Sequence, residues 1–215
     1  FKLEARLREA IPDQLFLTYQ MQINEKNTPT GAEVLIRWQD PDEGIISPAD
    51  FIPIAEKTGL INQIGDWVIK IACRRLAIWS SKPDFENLTL SVNVSLKQFM
   101  QHDFIEKIQG EITESCIQPN RLKLELTESI FVEDYNIIID KMAKIKALGV
   151  MISLDDFGTG FSSLSYLKRL PIDELKIDQS FVSDLITSNE SEAIVESIIR
   201  LGQSLNMSVI AEGVE

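Results

Sequence analysis

Short apolar runs alternate with helix-length amphipathic stretches along the whole chain, and this alternation constrains the fold more than any other feature. The runs are LFLTYQMQI (15–23), GAEVLIRW (31–38), LTLSVNVS (88–95), LKLELTES (122–129), MISLDDF (151–157), ELKID (174–178) and SVIAEG (208–213). Strand–helix alternation repeated this often implies parallel strands joined by right-handed crossovers. The regular order favours a (β/α) barrel over an open doubly wound sheet, and no Gly-rich dinucleotide fingerprint speaks for the latter. Only INEKNTPT (23–30) separates the first two runs. No crossover helix fits there, so this first pair is expected to be antiparallel. A chain of 215 residues with 44% hydrophobic composition suits one domain over residues 1–215. Glu215 follows the seventh run closely, so an eight-stranded barrel is expected to lack its last strand and the domain to be C-terminally incomplete.

The stretches between the runs carry helix signals. Ser47-Pro48-Ala49-Asp50 reads as an N-cap with Pro at the first helical position, opening an amphipathic stretch to about Trp79. A helix over Tyr135–Leu148 is expected to stop at Gly149. In Ser191–Leu205, the residues Ile194, Ile198 and Leu201 share one face, which is expected to be core.

Polar residues interrupt the strands in a pattern. Glu33, Asn93, Glu125, Asp155, Asp156, Lys176 and Glu212 all lie inside apolar runs or at their ends. A carboxylate in a buried strand costs several kcal/mol of desolvation (about 3–5 for an unpaired charge) unless something compensates it. In LTLSVNVS the row Leu88, Leu90, Val92, Val94 opposes Thr89, Ser91, Asn93, Ser95, and LKLELTES and ELKID split the same way. Helices cover the outside of such a barrel, so the polar rows are expected to converge on its interior. Asp155 and Asp156 are neighbours, which a regular strand points to opposite faces. Both can serve one site only where the strand ends, and Gly158 and Gly160 place that end just beyond them. Two carboxylates so close repel, raising one pKa, unless cations sit between them.

Charge narrows the chemistry. The formal net charge is −12, which argues against binding to a polymeric nucleic-acid backbone. An anionic substrate would need bound cations to attract it. With one histidine, His102, a His-rich zinc site is excluded; carboxylates with one Asn suit Mg²⁺ or Mn²⁺. Cys73 and Cys116 lack metal-type spacing and fit reduced thiols in a cytosolic protein. No apolar stretch approaches a bilayer span, so a cytoplasmic location is expected, including as the cytosolic part of a larger membrane-anchored protein.

The segments AEVLIRW, SVNVS, ELTES, DDFGTGFSSL, LKID and AEGVE, in this order, resemble those of the EAL-domain phosphodiesterases that hydrolyse cyclic di-GMP. The resemblance implies a TIM-like (β/α)₈ barrel with an antiparallel first strand, two Mg²⁺ or Mn²⁺ ions, and hydrolysis to linear pGpG by a two-metal-activated water. It implies Glu33, Asn93, Glu125 and Asp155 as ligands of one ion, and Asp155, Asp156 and Glu212 as ligands of the other. It implies Lys176 as the contact of the hydrolytic water, with Glu212 assisting proton transfer. Gln20, Arg37, Asp178 and Glu215 fall where the family contacts substrate, and Glu128 where it braces the DDFGTGFSSL loop. Relatives often dimerise near that loop and often carry an upstream sensory or GGDEF domain. Some relatives are catalytically silent cyclic di-GMP receptors or interaction modules, usually with metal ligands lost. Two positions depart from the pattern: Glu33-Val34-Leu35 stands for Glu-Ala-Leu, and Met21 for the usual proline. Val34 opposes Glu33 across the strand and alters packing only. Apart from the resemblance, Lys176 reads equally as an ion-pair partner of Asp155 or Asp156, and Arg37 as a strand residue packed on a helix.

Overall fold

Every apolar run forms a strand. In chain order the strands are β1 (Leu15–Ile23), β2 (Pro29–Asp40), β3 (Gly44–Ile46), β4 (Thr89–Asn93), β5 (Leu122–Thr127), β6 (Met151–Phe157), β7 (Glu174–Ile177) and β8 (Ser208–Ala211). The helices are α1 (Lys2–Ala10), α2 (Pro48–Thr58), α3 (Leu60–Ser80), α4 (Leu96–Phe99), α5 (Phe104–Ser115), α6 (Tyr135–Ala147), α7 (Gln179–Ser183) and α8 (Asn189–Leu205). The structure, a computed structural model, describes residues 2–132, 134–158, 167–185 and 188–214, the side chains at 131 and 132 excepted. β3 was not expected; three residues are too short for an alternating pattern to register. Two compact units divide the chain, Phe1–Lys123 and Leu124–Glu215.

In the first unit the strand neighbours run β1-β2-β4, with β3 on β2. β1 and β2 are antiparallel, as the short connection requires, and put Gln20 opposite Glu33 and Phe16 opposite Arg37. β2 and β4 are parallel, with Glu33 beside Ser91. Ala32, Val34 and Trp38 on one face of β2 are buried, as are Leu90 and Val92 on β4. Trp38 meets Phe51 of α2 edge-on at 5.7 Å. Gly31 lets β4 approach: a Cβ there would lie 2.7 Å from the Thr89 carbonyl oxygen.

The amphipathic stretch from Pro48 is two helices, not one. Ser47 caps α2 by accepting from the Ala49 N–H, but Gly59 adopts φ 80° and turns the chain before Leu60 starts α3. α6 ends as expected, with Gly149 at φ 89°.

α1 is tied to the β2–β3 hairpin through Arg6, which pairs with Asp40 and Glu43 at 2.5 Å each. Asp40 also accepts the Asp42 and Glu43 N–H groups. The Arg6 guanidinium holds the Asp40 carboxyl down at about 2, against burial, which pushes the other way. A carboxyl with a depressed folded pKa stabilises the fold fully above its ordinary value and loses that contribution as pH falls through the folded value. Asp40→Asn is therefore expected to lower Tm at neutral pH, and the gap to the parent protein closes between pH 3.8 and about 2. A gap in Tm that stays constant over that window in thermal melts would contradict this.

In the second unit the neighbours run β5-β6-β7-β8. β6–β7 and β7–β8 are parallel. All four β7 residues are buried, including Glu174, whose carboxylate accepts from Ser153 and Ser208 hydroxyls at 3.1 Å each.

The core face of α8 differs from the expected one. Ser191, Val195, Ile198 and Gly202 are buried, Leu201 is half-buried and Ile194 is 38% exposed. A Cβ at Gly202 would lie 2.4 Å from Val209 Cγ2, so the helix seats on β8 through small residues. Hydrophobic periodicity gives no weight to Ser and Gly, and it therefore rotates the face toward Ile194.

Candidate metal and catalytic site

Lys176 is the centre of the polar cluster in the second unit. It is 1% exposed, with Leu175 and Ile177 flanking it in β7. Its ammonium lies 2.6 Å from Glu212, 2.9 Å from Glu125 and 3.1 Å from Asp155. Glu212 is brought there by β8: Ile177 pairs with Ala211, and the Glu212 N–H donates to the Ile177 carbonyl. The pairing of Lys176 with Asp155 is the one read from sequence; its contacts with Glu125 and Glu212 need the tertiary fold.

Asp155 and Asp156 do converge, and the strand ends just beyond them as expected, with an irregularity of register added. β6 continues through Phe157, and its register against β7 breaks between Leu154 and Phe157. At that bulge Asp156 takes φ 54°, a left-handed conformation that a non-glycine residue adopts at a cost. The Asp156 N–H donates to the Asp155 carboxylate at 3.0 Å. Asp155, Asp156 and Glu212 each offer a carboxylate oxygen, and these three lie within 4.8 Å of one another.

The electrostatics are unbalanced. Burial first, then Asp155, push the Asp156 carboxyl up to about 6; a hydrogen bond to Asp178 and the Glu212 charge add to this. Asp178 moves the other way, held down chiefly by its hydrogen bond from the Ser180 hydroxyl. Asp178 caps α7, accepting from the Ser180 N–H at 2.9 Å and from its hydroxyl. Glu128 accepts from the Gly158 N–H at 3.2 Å, where DDFGTGFSSL begins. The rest of that loop from 159 to 164, and Glu215, lie outside the described residues.

The donor set fits a hard divalent cation. The three oxygens lie within 4.8 Å of one another, and an octahedral Mg²⁺ with bonds of about 2.0–2.1 Å would draw neighbouring ones to about 3 Å. Asp155, Asp156, Glu125 and Glu212 carry four formal negative charges near the Lys176 ammonium, an excess that a divalent ion would relieve.

The first unit holds a second group. Asn93 donates from Nδ2 to Glu33 Oε1 at 2.7 Å. Gln20 is exposed across β1 from Glu33. Arg37, half-buried, donates from Nη1 to the Ile36 carbonyl at 2.9 Å. Ser91 was read only as a member of the polar row; it is fully buried beside Glu33.

Comparison with known proteins gives this geometry its setting. The EAL domain family model matches residues 4–215. The bifunctional diguanylate cyclase/cyclic di-GMP phosphodiesterase MucR of Pseudomonas aeruginosa is 43% identical over 211 residues, covering 97% of this chain and 31% of MucR. The cyclic di-GMP phosphodiesterase PdeR of Escherichia coli is 40% identical over 214 residues, 99% of this chain and 32% of PdeR. The chain thus spans about a third of the length of these two curated relatives. The solved structure of the PaMucR phosphodiesterase in complex with c-di-GMP superposes with a TM-score of 0.96 at 41% identity, covering 100% of this chain and 87% of that one. That likeness shows the fold class read from the sequence, mixed α/β of the TIM-like EAL kind with an antiparallel first strand. The chain belongs to the EAL domain family.

Proposed function

We propose that this chain is a cyclic di-GMP phosphodiesterase that cleaves one phosphodiester bond to give linear pGpG. The observation that carries the reading is Lys176 held within 3.1 Å of Glu125, Asp155 and Glu212, beside a carboxylate trio fit for a divalent ion. Its relatives' activity supports the same reading, as does the c-di-GMP held by the matching structure.

The residues divide the work. Asp155, Asp156 and Glu212 would hold one ion, while Glu33 and Asn93 in the first unit and Glu125 in the second are proposed as ligands on the resemblance. Bound there, Mg²⁺ or Mn²⁺ would lower the pKa of a water and offset charge on the phosphodiester. Lys176, buried against Glu125, Asp155 and Glu212, orients the attacking water by exchanging one of these three carboxylate contacts for it, and Glu212 accepts the water's proton. Water adds at phosphorus, the bond to the 3′ oxygen breaks, and that oxygen leaves as a hydroxyl. Arg37 pairs with a phosphate, which its planar fork suits, and Gln20, Asp178 and Glu215 contact the nucleotide. Glu128 holds the start of the DDFGTGFSSL loop through Gly158. Residues 1–215 act as one domain in this reading. A homodimer and an upstream sensory or GGDEF domain are proposed for the parent protein on the resemblance. Among the described residues no helix is long and apolar enough to cross a membrane.

Metal exchange tests the chemistry. With chelated protein, Mg²⁺ or Mn²⁺ is expected to restore pGpG formation and Ca²⁺ to restore little, because its longer bonds and looser shell misplace the water. Cyclic di-GMP bound tightly with no product under Mg²⁺ or Mn²⁺ would identify a silent receptor instead.

A further inference from the structure

Ser91 is a buried polar group beside Glu33 that the proposed chemistry leaves without a task. It is 0% exposed, in the middle of β4. β2 and β4 are parallel, and Glu33 and Ser91 are direct partners in the register. Partners in a parallel pair project to the same face, on strands about 4.8 Å apart. Asn93, two residues on, shares that face and donates to Glu33 at 2.7 Å. Gln20 lies directly across Glu33 on β1, so Gln20, Glu33 and Ser91 form one row over three strands.

The Ser91 hydroxyl oxygen is buried with no hydrogen-bond partner among the described residues. A buried hydroxyl in this position is costly to the fold by itself. Alanine at 91 would avoid that cost. A serine next to a carboxylate that binds metal has a use for its hydroxyl: it can hold a buried water that donates to the carboxylate. Groups behind a ligand fix its orientation and tune its affinity.

We propose that Ser91 is a positioning residue for the Glu33–Asn93 ligand pair, its hydroxyl holding a buried water that hydrogen-bonds the Glu33 carboxylate. The inference rests on the metal role proposed for Glu33. Ser91 touches neither substrate nor ion; it fixes which way the Glu33 oxygens face.

The test is Ser91→Ala, compared with the parent protein in two measurements. Mn²⁺ affinity is measured by calorimetry on chelated protein, without substrate, and Tm is measured in chelator. The proposal expects roughly tenfold weaker Mn²⁺ binding together with a Tm close to the parent's, because the hydroxyl bonds a water and no protein group. A purely structural serine gives the opposite pattern, a lower Tm with parental Mn²⁺ affinity, and that result overturns the proposal. Ser153→Ala is the control: Ser153 is also fully buried, but its hydroxyl is occupied by Glu174, and its Mn²⁺ affinity is expected to stay parental. Equal loss in both variants overturns the proposal as well. If the parent protein itself binds no Mn²⁺, the metal reading fails with it, which is distinguishable from parental binding that Ser91→Ala leaves untouched.

Discussion

Lys176→Met is expected to abolish measurable pGpG formation and to cost the metal-free protein about 3–5 kcal/mol of stability. Methionine fills much the same volume, so the effect isolates the charge. The ammonium lies within 3.1 Å of Glu125, Asp155 and Glu212. Without it, carboxylates in a nearly dry site face one another, and an unpaired buried charge is far more costly than the absence of the whole pair. Loss of a group that positions or transfers a proton lowers turnover by about 10²–10⁴-fold. Product assays and denaturant melts in chelator read the two effects separately. Intact stability in the variant would mean that the cluster is already neutralised by protons.

Asp155→Asn is expected to give a different signature. The Asn side chain keeps the shape and can still accept from the Asp156 N–H, as Asp155 does at 3.0 Å. It removes the repulsion that helps push the Asp156 carboxyl up. Metal-free stability should therefore stay within about 1 kcal/mol of the parent. Turnover should fall by about 10²–10³-fold, since a neutral amide holds a hard divalent ion poorly and several kcal/mol of charge stabilisation go with it. The contrast between the two variants separates the Lys176 charge, on which fold and turnover both depend, from the metal-holding role proposed for Asp155. A large stability loss in Asp155→Asn would show that its pairing with Lys176, not its place in a metal site, is what the fold needs.

Much of this architecture was legible in the residues because it depends on local pattern. The strand runs are apolar enough to stand out, and the short 23–30 connection forces β1 and β2 to be antiparallel. Ser47 and Gly149 mark helix ends through backbone chemistry that any context would impose. What was not legible depends on distance or on small residues. Gly59 splits the long amphipathic stretch because one left-handed residue suffices, and periodicity runs across it unbroken. The α8 face turns on Gly202 fitting against Val209, a contact that hydrophobicity cannot register. The strand end just beyond Asp155 and Asp156 is legible from Gly158, whereas the bulge that gives Asp156 its left-handed backbone depends on the register against β7 and is not. The contacts of Lys176 with Glu125 and Glu212 span 51 and 36 residues, and only the strand order brings them together.

The most direct test of the account is chromatographic detection of pGpG from cyclic di-GMP with Mg²⁺, run on the protein beside Asp155→Asn with binding of cyclic di-GMP measured in parallel. The account predicts product from the parent protein, little or none from the variant, and none from either in chelator. Tight binding of cyclic di-GMP by the parent protein without any pGpG under Mg²⁺ or Mn²⁺ would contradict it, and would make the chain a receptor whose acidic cluster serves the fold alone.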